Sequence, residues 1–433
     1  MTDRGTTGGS HRDLGRLQQR LRGRRRSGHI LKYSGLGAIL IALTMLGVLL
    51  FSIISQGWTG FLQTQVQLDV VYDPELIAEP GTTDAETLKD GRFQEIALNA
   101  LREIVGETSD DQTRALSALL SGSVRFRLQD RVVNDPNLIG KSETLWFPTS
   151  SNIDMAFKEK VNLDIAEEDR QLSDRQVAWF RTLVDQDRLR TVFSTGFFLN
   201  SDSRSPELAG LWAGIVGSAM MLAITLVFSF PIAVMAAVYL EEFAPKNRWT
   251  ELIEVNINNL AAVPSIIFGL LGLAVFLNTL GFPRSSPLAG GAVLVLMTLP
   301  IIIIAARSAL RSVPPSYREG ALMMGASHQQ AVMSQVLPVA LPGMLTGTII
   351  GLAQALGETA PLLLIGMVAF VATPPGGLVD TATALPVQIY LWANAPEQGF
   401  AEKTQAAIMV LLAFLLIMNA TAIFFRNRFQ KRR

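Results

Sequence analysis

The chain contains no cysteine. Disulfides and thiolate metal sites are therefore excluded, and the redox compartment cannot be read from it. Only three histidines occur, His11, His29 and His328, far apart along the chain. That spacing argues against a histidine-based metal site, and no cofactor is expected. Charge of either sign is in short supply. Lys and Arg number 37, Asp and Glu number 37, and charged residues make up 17% of the total. A net charge of zero lacks the basic footprint of a nucleic-acid binder. No G-x-x-x-x-G-K-[ST] phosphate loop is present, so nucleotide hydrolysis would have to come from another chain. The apolar stretches hold no paired carboxylates and no His or Ser constellation, which argues against a membrane-embedded enzyme. A membrane-anchored sensor with an external ligand domain would need a cytoplasmic signalling domain, and none is legible.

What is abundant is apolar sequence, 49% of 433 residues. It is gathered into charge-free runs at 33–54, 208–240, 257–283, 285–306, 341–357 and 404–425. A run of about 20 such residues crosses a hydrocarbon core of roughly 30 Å. Six spans follow: residues 33–55, then about 208–240, 257–280, 286–306, 340–371 and 405–425.

Basic residues set their orientation. Arg20, Arg22, Arg24, Arg25, Arg26 and Lys32 precede span 1, and their basic region is too long for a cleavable signal peptide. Residues 1–32 read as a retained cytoplasmic tail. Leu14, Leu17 and Leu21 recur at helical spacing among Arg12, Arg16, Arg20 and Arg22. Two readings stay open there: a helix lying on anionic membrane lipid, or a disordered tail that fixes topology. Lys246 and Arg248 follow span 2; Arg307, Arg311 and Arg318 follow span 4; Arg426, Arg428, Lys431, Arg432 and Arg433 follow span 6. All these clusters fall on one side. The expected protein is multi-pass, with both termini and the 427–433 tail in the cytoplasm and residues 56–206 outside.

Within the external segment 56–206, residues 62–200 alternate charged and apolar residues as a soluble domain does. Phe93, Ile96, Ala97, Ala100, Leu101 and Ile104 predict a helix, and Val177, Phe180 and Val184 another. Asp110 or Asp111 is a candidate cap for a further helix ended by Gly122. Val124, Phe126 and Leu128 alternate with Arg125, Arg127 and Gln129, which predicts a half-buried strand. The expectation is a small α+β domain without a catalytic constellation. Its charges form a solvated face or a docking surface for another external protein. As an insertion between spans 1 and 2 it reads as removable: spans 2 to 6 are expected to assemble without residues 66–200.

Residues 316–338, SYREGALMMGASHQQAVMSQVLP, lie between spans 4 and 5. A polar helix–Gly–helix segment held between two spans suits a grip from the cytoplasm. It resembles the coupling motif of bacterial ABC-importer permeases, which runs Glu-Ala-Ala, three residues, Gly, nine residues, a hydrophobic residue, one residue, Leu-Pro. Glu319, Gly320 and Ala321 fill the triplet, Gly325 takes the Gly position, and Leu337-Pro338 close the motif. Gly320 departs from the middle Ala and Gln335 from the hydrophobic position. Residues 205–218, 259–273 and LGETAPLLL at 356–364 resemble stretches of the phosphate ABC-transporter permeases, in particular the subunit carrying Gly-Glu-Thr-Ala-Pro. The similarity covers about 205–425, and the insertion resembles an extension in one branch of that family. The resemblance implies the six-helix type I importer fold within 207–426. It also implies a second homologous permease subunit, two ATPase subunits, a periplasmic phosphate-binding protein and a place in the bacterial inner membrane. Arg318, Glu319, Gly320, Ala321, Gly325 and Pro338 would couple to the ATPase. A permease for phosphonate, sulfate or molybdate is the alternative within the class.

A translocation path is legible in the residues themselves. Glu358 sits in an apolar span, where a carboxylate is costly unless it faces a cavity or a partner. Gly357, Thr359 and Pro361 flank it, and Pro361 frees a backbone carbonyl. Pro264 and Ser265, after Asn258 and Asn259, break span 3 in the same way. The candidate path is therefore Asn259, Pro264, Ser265, Gln354, Glu358 and Thr359; the other reading of Glu358 is a structural pair with a basic residue of the neighbouring subunit. Pro231 in span 2 reads as an ordinary kink. Many members of the resembling family carry an Arg where Gln354 stands, and another Arg where Ile304 stands. A dianion in a low-dielectric pore needs donors or positive charge. The second subunit would supply it, or Gln354, Thr359, Ser265 and backbone N–H groups would suffice.

Overall fold

The computed structural model describes the backbone of residues 9–431 apart from 80, 83, 108, 110 and 111, and side chains from 28 to 428 apart from those of 29 and 85. The leucine face at 14–21, the arginines before residue 27 and Lys431 lie outside the described side chains. Asp110, Asp111, Arg432 and Arg433 lie outside the described residues. The chain divides after Gln56 into two units. The first is a single helix, Gly9–Gly57, whose apolar part is span 1.

Among the described residues of the second unit, four helices are long and apolar enough to cross a membrane: Trp212–Phe243, Pro287–Arg311, His328–Gly357 and Gly399–Arg428 (spans 2, 4, 5 and 6). A bent pair, Arg248–Ala261 and Ser265–Thr279, supplies span 3. The proline-bearing helix interiors, at Pro231 in span 2, Pro300 in span 4 and Pro342 in span 5, stay helical. Three π turns widen the helices, at Tyr239–Phe243, Leu273–Thr279 and Val332–Val336. The last accommodates Pro338, whose ring would otherwise meet the carbonyl one turn back. The packing follows from small residues: a Cβ on Gly347 would clash with the Ala305 methyl, so spans 4 and 5 approach with little between them.

The inserted domain is α+β. Strand β1 (Leu62–Val71) is central, with β2 (Ser142–Pro148) and β3 (Leu189–Phe193) antiparallel on either side. Alternate residues of β1, Thr64, Val66, Leu68 and Val70, point into the core. Helices Phe93–Val105 and Asp174–Asp185 form where the periodicity predicts them. The expected strand at 124–128 does not form. Val124–Asn134 is a helix, burying Val124, Leu128 and Val132 at intervals of four and leaving Phe126 exposed with the Arg125 guanidinium 4.3 Å from its ring. The second helix is one short turn, Thr113–Ser117, and Gly122 precedes the next helix rather than ending this one.

The insertion is not a detached module. Phe61 and Phe197 share one buried cluster with Leu211, Leu385, Trp392, Phe400 and Ala406 from the span region. Beneath it lies a closed set of charges. Lys158 Nζ donates to Asp154 at 2.8 Å, to Glu402 at 3.1 Å and to the Thr59 and Leu62 carbonyls at 3.0 and 2.8 Å. Lys403 Nζ donates to the Gly60 carbonyl and lies 5.0 Å from the Phe197 ring. Trp392 donates to Asp202 at 2.9 Å, and Gln388 to the Gly210 carbonyl at 2.8 Å. Removing residues 66–200 would therefore uncover apolar surface and strand Glu402 without its cation.

Candidate functional site: a coupling segment and two broken spans

The segment after span 4 folds as Pro315–Met323, a turn, and a helix starting at His328 that runs unbroken into span 5. Pro314 and Pro315 end one helix and start the next, because proline suits a first helical turn and its predecessor avoids helical geometry. Gly325 closes the turn with φ +85°, a backbone region that a side chain disfavours. Ser327 and Gln330 form a reciprocal capping box for the second helix. Glu319, Gly320 and Gly325 are exposed, and Ala321 and Pro338 are half-buried. Met323 and Met324, at 85% and 88% exposure, form an uncovered apolar tip beside the turn.

Arg318 points the other way, into the protein. Its Nε donates to both oxygens of Glu242 at 3.1 Å, while Nη1 and Nη2 donate to the Val313 and Leu310 carbonyls at 3.0 and 3.1 Å. The hydrogen bonds to Glu242 raise its already high pKa further. His328 Nε2 lies 2.8 Å from the Glu242 carbonyl, with its ring edge-on to Phe243. Next to it, Glu241 takes Arg311 at 2.8 Å and Arg307 at 3.4 Å, and Arg307 reaches Glu254 at 2.6 Å. Glu241, Glu242 and Glu254 were not singled out by sequence. The available signal was an acidic pair ending span 2 opposite three arginines around span 4.

The candidate path residues fall at two helix breaks. Pro264 starts the second limb of span 3, and the two limbs meet at 102°. Asn259 and Pro264 are exposed and Ser265 is half-buried. In span 5 the helix stops at Gly357. Glu358 is extended (φ −79°, ψ 122°) and a five-residue helix, Ala360–Leu364, follows Thr359. Glu358 therefore stands at the break itself rather than inside a continuous helix, and the expected span to residue 371 ends early. Gln354 is exposed, while Glu358 and Thr359 are half-buried. The two breaks are neighbours: a Cβ on Gly269 would sit 2.7 Å from Pro361 Cα, so only glycine lets span 3 approach here. Among the described residues no ion pair involves Glu358.

Multiple apolar helices, a broken pair near a lone carboxylate, and a polar segment with an exposed tip between two spans define a multi-pass permease. Known proteins place it further. Residues 229–433 match the family model of the binding-protein-dependent transport system inner membrane component, and residues 18–167 match a domain of unknown function (DUF3333). The phosphate transport system permease protein PstA 2 of Mycobacterium bovis is 34% identical over 214 residues, 48% of this chain and 69% of that protein. A probable ABC transporter permease, YqgI of Bacillus subtilis, is 29% identical over 242 residues, 52% of this chain and 81% of that protein. Among solved structures, the inward-facing MetNI methionine ABC transporter aligns with a TM-score of 0.40 at 21% identity, over 51% of this chain and 97% of that one. A bacterial alginate ABC transporter aligns with a TM-score of 0.41 at 16% identity, over 64% and 86%. The chain belongs to the phosphate permease family of ABC transporters.

Proposed function

We propose that this chain is one of two homologous permease subunits of an importer that moves inorganic phosphate inward across the bacterial inner membrane. ATP is hydrolysed by two ATPase subunits that this chain grips, and a periplasmic binding protein delivers the anion. The observation that carries the reading is the coupling segment: an exposed Met323–Met324 tip and a Gly325 turn, on a chain of the phosphate permease family. Basic clusters at both termini and after spans 2 and 4 support a cytoplasmic location for that segment and a periplasmic one for the inserted domain. At the neighbouring breaks, Ser265, Thr359 and Gln354 offer donors, and Asn259 and Pro264 border the same bend. A carboxylate at Glu358 would repel a phosphate dianion. It is accordingly paired with an arginine of the second permease that it holds at the path.

The test is uptake of radiolabelled inorganic phosphate by proteoliposomes holding both permeases and the ATPase, with the binding protein inside or outside. Phosphate is expected to enter and to stimulate ATP hydrolysis. Gly325→Val puts a β-branched residue at positive φ, a strain of about 1–2 kcal/mol, and alters the turn that meets the ATPase. It is expected to abolish uptake and stimulation while the permease still inserts. Stimulation by sulfate or molybdate but not phosphate would reassign the substrate, and full activity of the valine variant would reassign the segment.

A further inference from the structure

Five charged side chains join the coupling segment to the broken span 3, and each contact crosses from one element to the next. Arg318, in the first coupling helix, grips the Glu242 carboxylate through Nε and Nη2. Glu242 and Glu241 are consecutive residues of the π turn that ends span 2. Glu241 binds Arg307 near the end of span 4. Arg307 is 7% exposed, and its Nη2 lies 2.6 Å from Glu254 as an ion pair without hydrogen-bond alignment. Glu254 lies in Arg248–Ala261, the first limb of span 3. The second limb then packs Gly269 onto Pro361, three residues beyond Glu358.

We propose that this relay, Arg318–Glu242/Glu241–Arg307–Glu254, transmits movement of the coupling segment to the two helix breaks of the candidate path. The proposal rests on the importer reading above. Several features fit a mechanical link better than surface salt bridges. Arg318 is fixed by four acceptor atoms on two elements, so it cannot move without dragging the π turn. A paired planar guanidinium transmits orientation as well as position. π turns are rare and recur at functional sites, and this one carries both acidic members. The first limb of span 3 has no buried residue of its own, and the Glu254–Arg307 ion pair ties it to span 4. Arg318 and Arg307 are thus positioning residues, acting through the helices they hold.

A charge exchange tests it in the proteoliposome complex with inorganic phosphate as the probe. Arg318→Glu and Glu242→Arg are made singly and together. Two quantities are read: phosphate uptake, and the ratio of phosphate-stimulated to unstimulated ATP hydrolysis. Each single variant is expected to lose uptake at least tenfold, with the ratio falling toward one. The double variant is expected to recover uptake to within threefold of wild type and to restore the ratio. Wild-type ratios in the singles, or no recovery in the double, would overturn the relay. Should a single variant fail to insert, Glu242→Gln keeps the shape and removes the charge. A depressed ratio supports the relay and an unchanged ratio overturns it. A wild-type complex that takes up no phosphate would instead count against the importer reading, since the exchange is scored only against a working wild type.

Discussion

Two charged regions of this permease are built on opposite terms. Where the inserted domain meets span 6, Lys158, Asp154 and Glu402 are almost fully covered, at 4%, 9% and 5% side-chain exposure, and both carboxylates pair with the one ammonium. At the break in span 5, Glu358 is half-buried and has no ionic partner among the described residues. The first region is closed by this chain alone. On the proposed reading the second is completed by another subunit, because burying an unmatched charge is costly. The contrast separates what holds this protein together from what it does, and it can be tested at each end.

The largest effect is expected at the closed end. Lys158→Met keeps the length and volume of the side chain but removes the only cation held by both Asp154 and Glu402. Two buried carboxylates and two carbonyls are left facing one another, at a cost of about 3–5 kcal/mol. A large fall in the thermal unfolding temperature of the purified permease in detergent should follow. Adding Glu402→Gln should recover part of the loss, because one of the stranded charges is then gone. A Lys158→Met protein that melts like wild type would mean that the insertion and the spans are joined by apolar contacts alone.

At the open end the effect should fall on transport rather than stability. If the charge of Glu358 holds a partner's arginine, Glu358→Gln should cut phosphate uptake strongly while insertion into the membrane and the melting temperature of the isolated chain stay unchanged. If the carboxyl is protonated, Gln should be nearly silent and Ala should not. Wild-type uptake by both variants would remove Glu358 from the path and leave the open region without a role.

The same contrast explains what could be read from sequence. Spans were legible because a charge-free run of 20 residues has few alternatives in a lipid environment. The Gly325 turn was legible from spacing, and its positive φ follows from local chemistry. The helix at Val124–Asn134 was missed because residues 124, 126 and 128 fit a period of two, while 124, 128 and 132 fit a helix equally well. Only packing against the insertion's core decides between the two. Pro264 announced a break in span 3 but neither its 102° angle nor the seat of Gly269 against Pro361. The closed cluster was the least legible feature. Lys158 and Glu402 are 244 positions apart, and nothing local marks either as buried. For the same reason the insertion read as removable when it shares a core with spans 2 and 6.

The smallest expected effect sharpens the closed region at its rim. Glu207 lies in the loop entering span 2. Burial raises its pKa, hydrogen bonds from its own backbone N–H, from Ser121 and from the Ser151 backbone lower it, and the nearby Asp154 carboxylate raises it further, with a net upward shift. A carboxyl whose pKa is raised on folding favours the folded state most when it is protonated. Its contribution is complete below the unfolded value, ~4.3, and is lost as pH climbs through the higher folded value. At neutral pH Glu207 is therefore a small burden on the junction. Glu207→Gln retains an acceptor and sheds the charge. Its melting temperature should exceed wild type slightly at pH 7.5, and the gap should close as pH falls toward 4. A gain that is constant with pH would trace the effect to packing. A loss at neutral pH would mean that the Glu207 charge is balanced by Lys158 or Lys403, and the closed cluster would then extend one residue further than its direct ion pairs show.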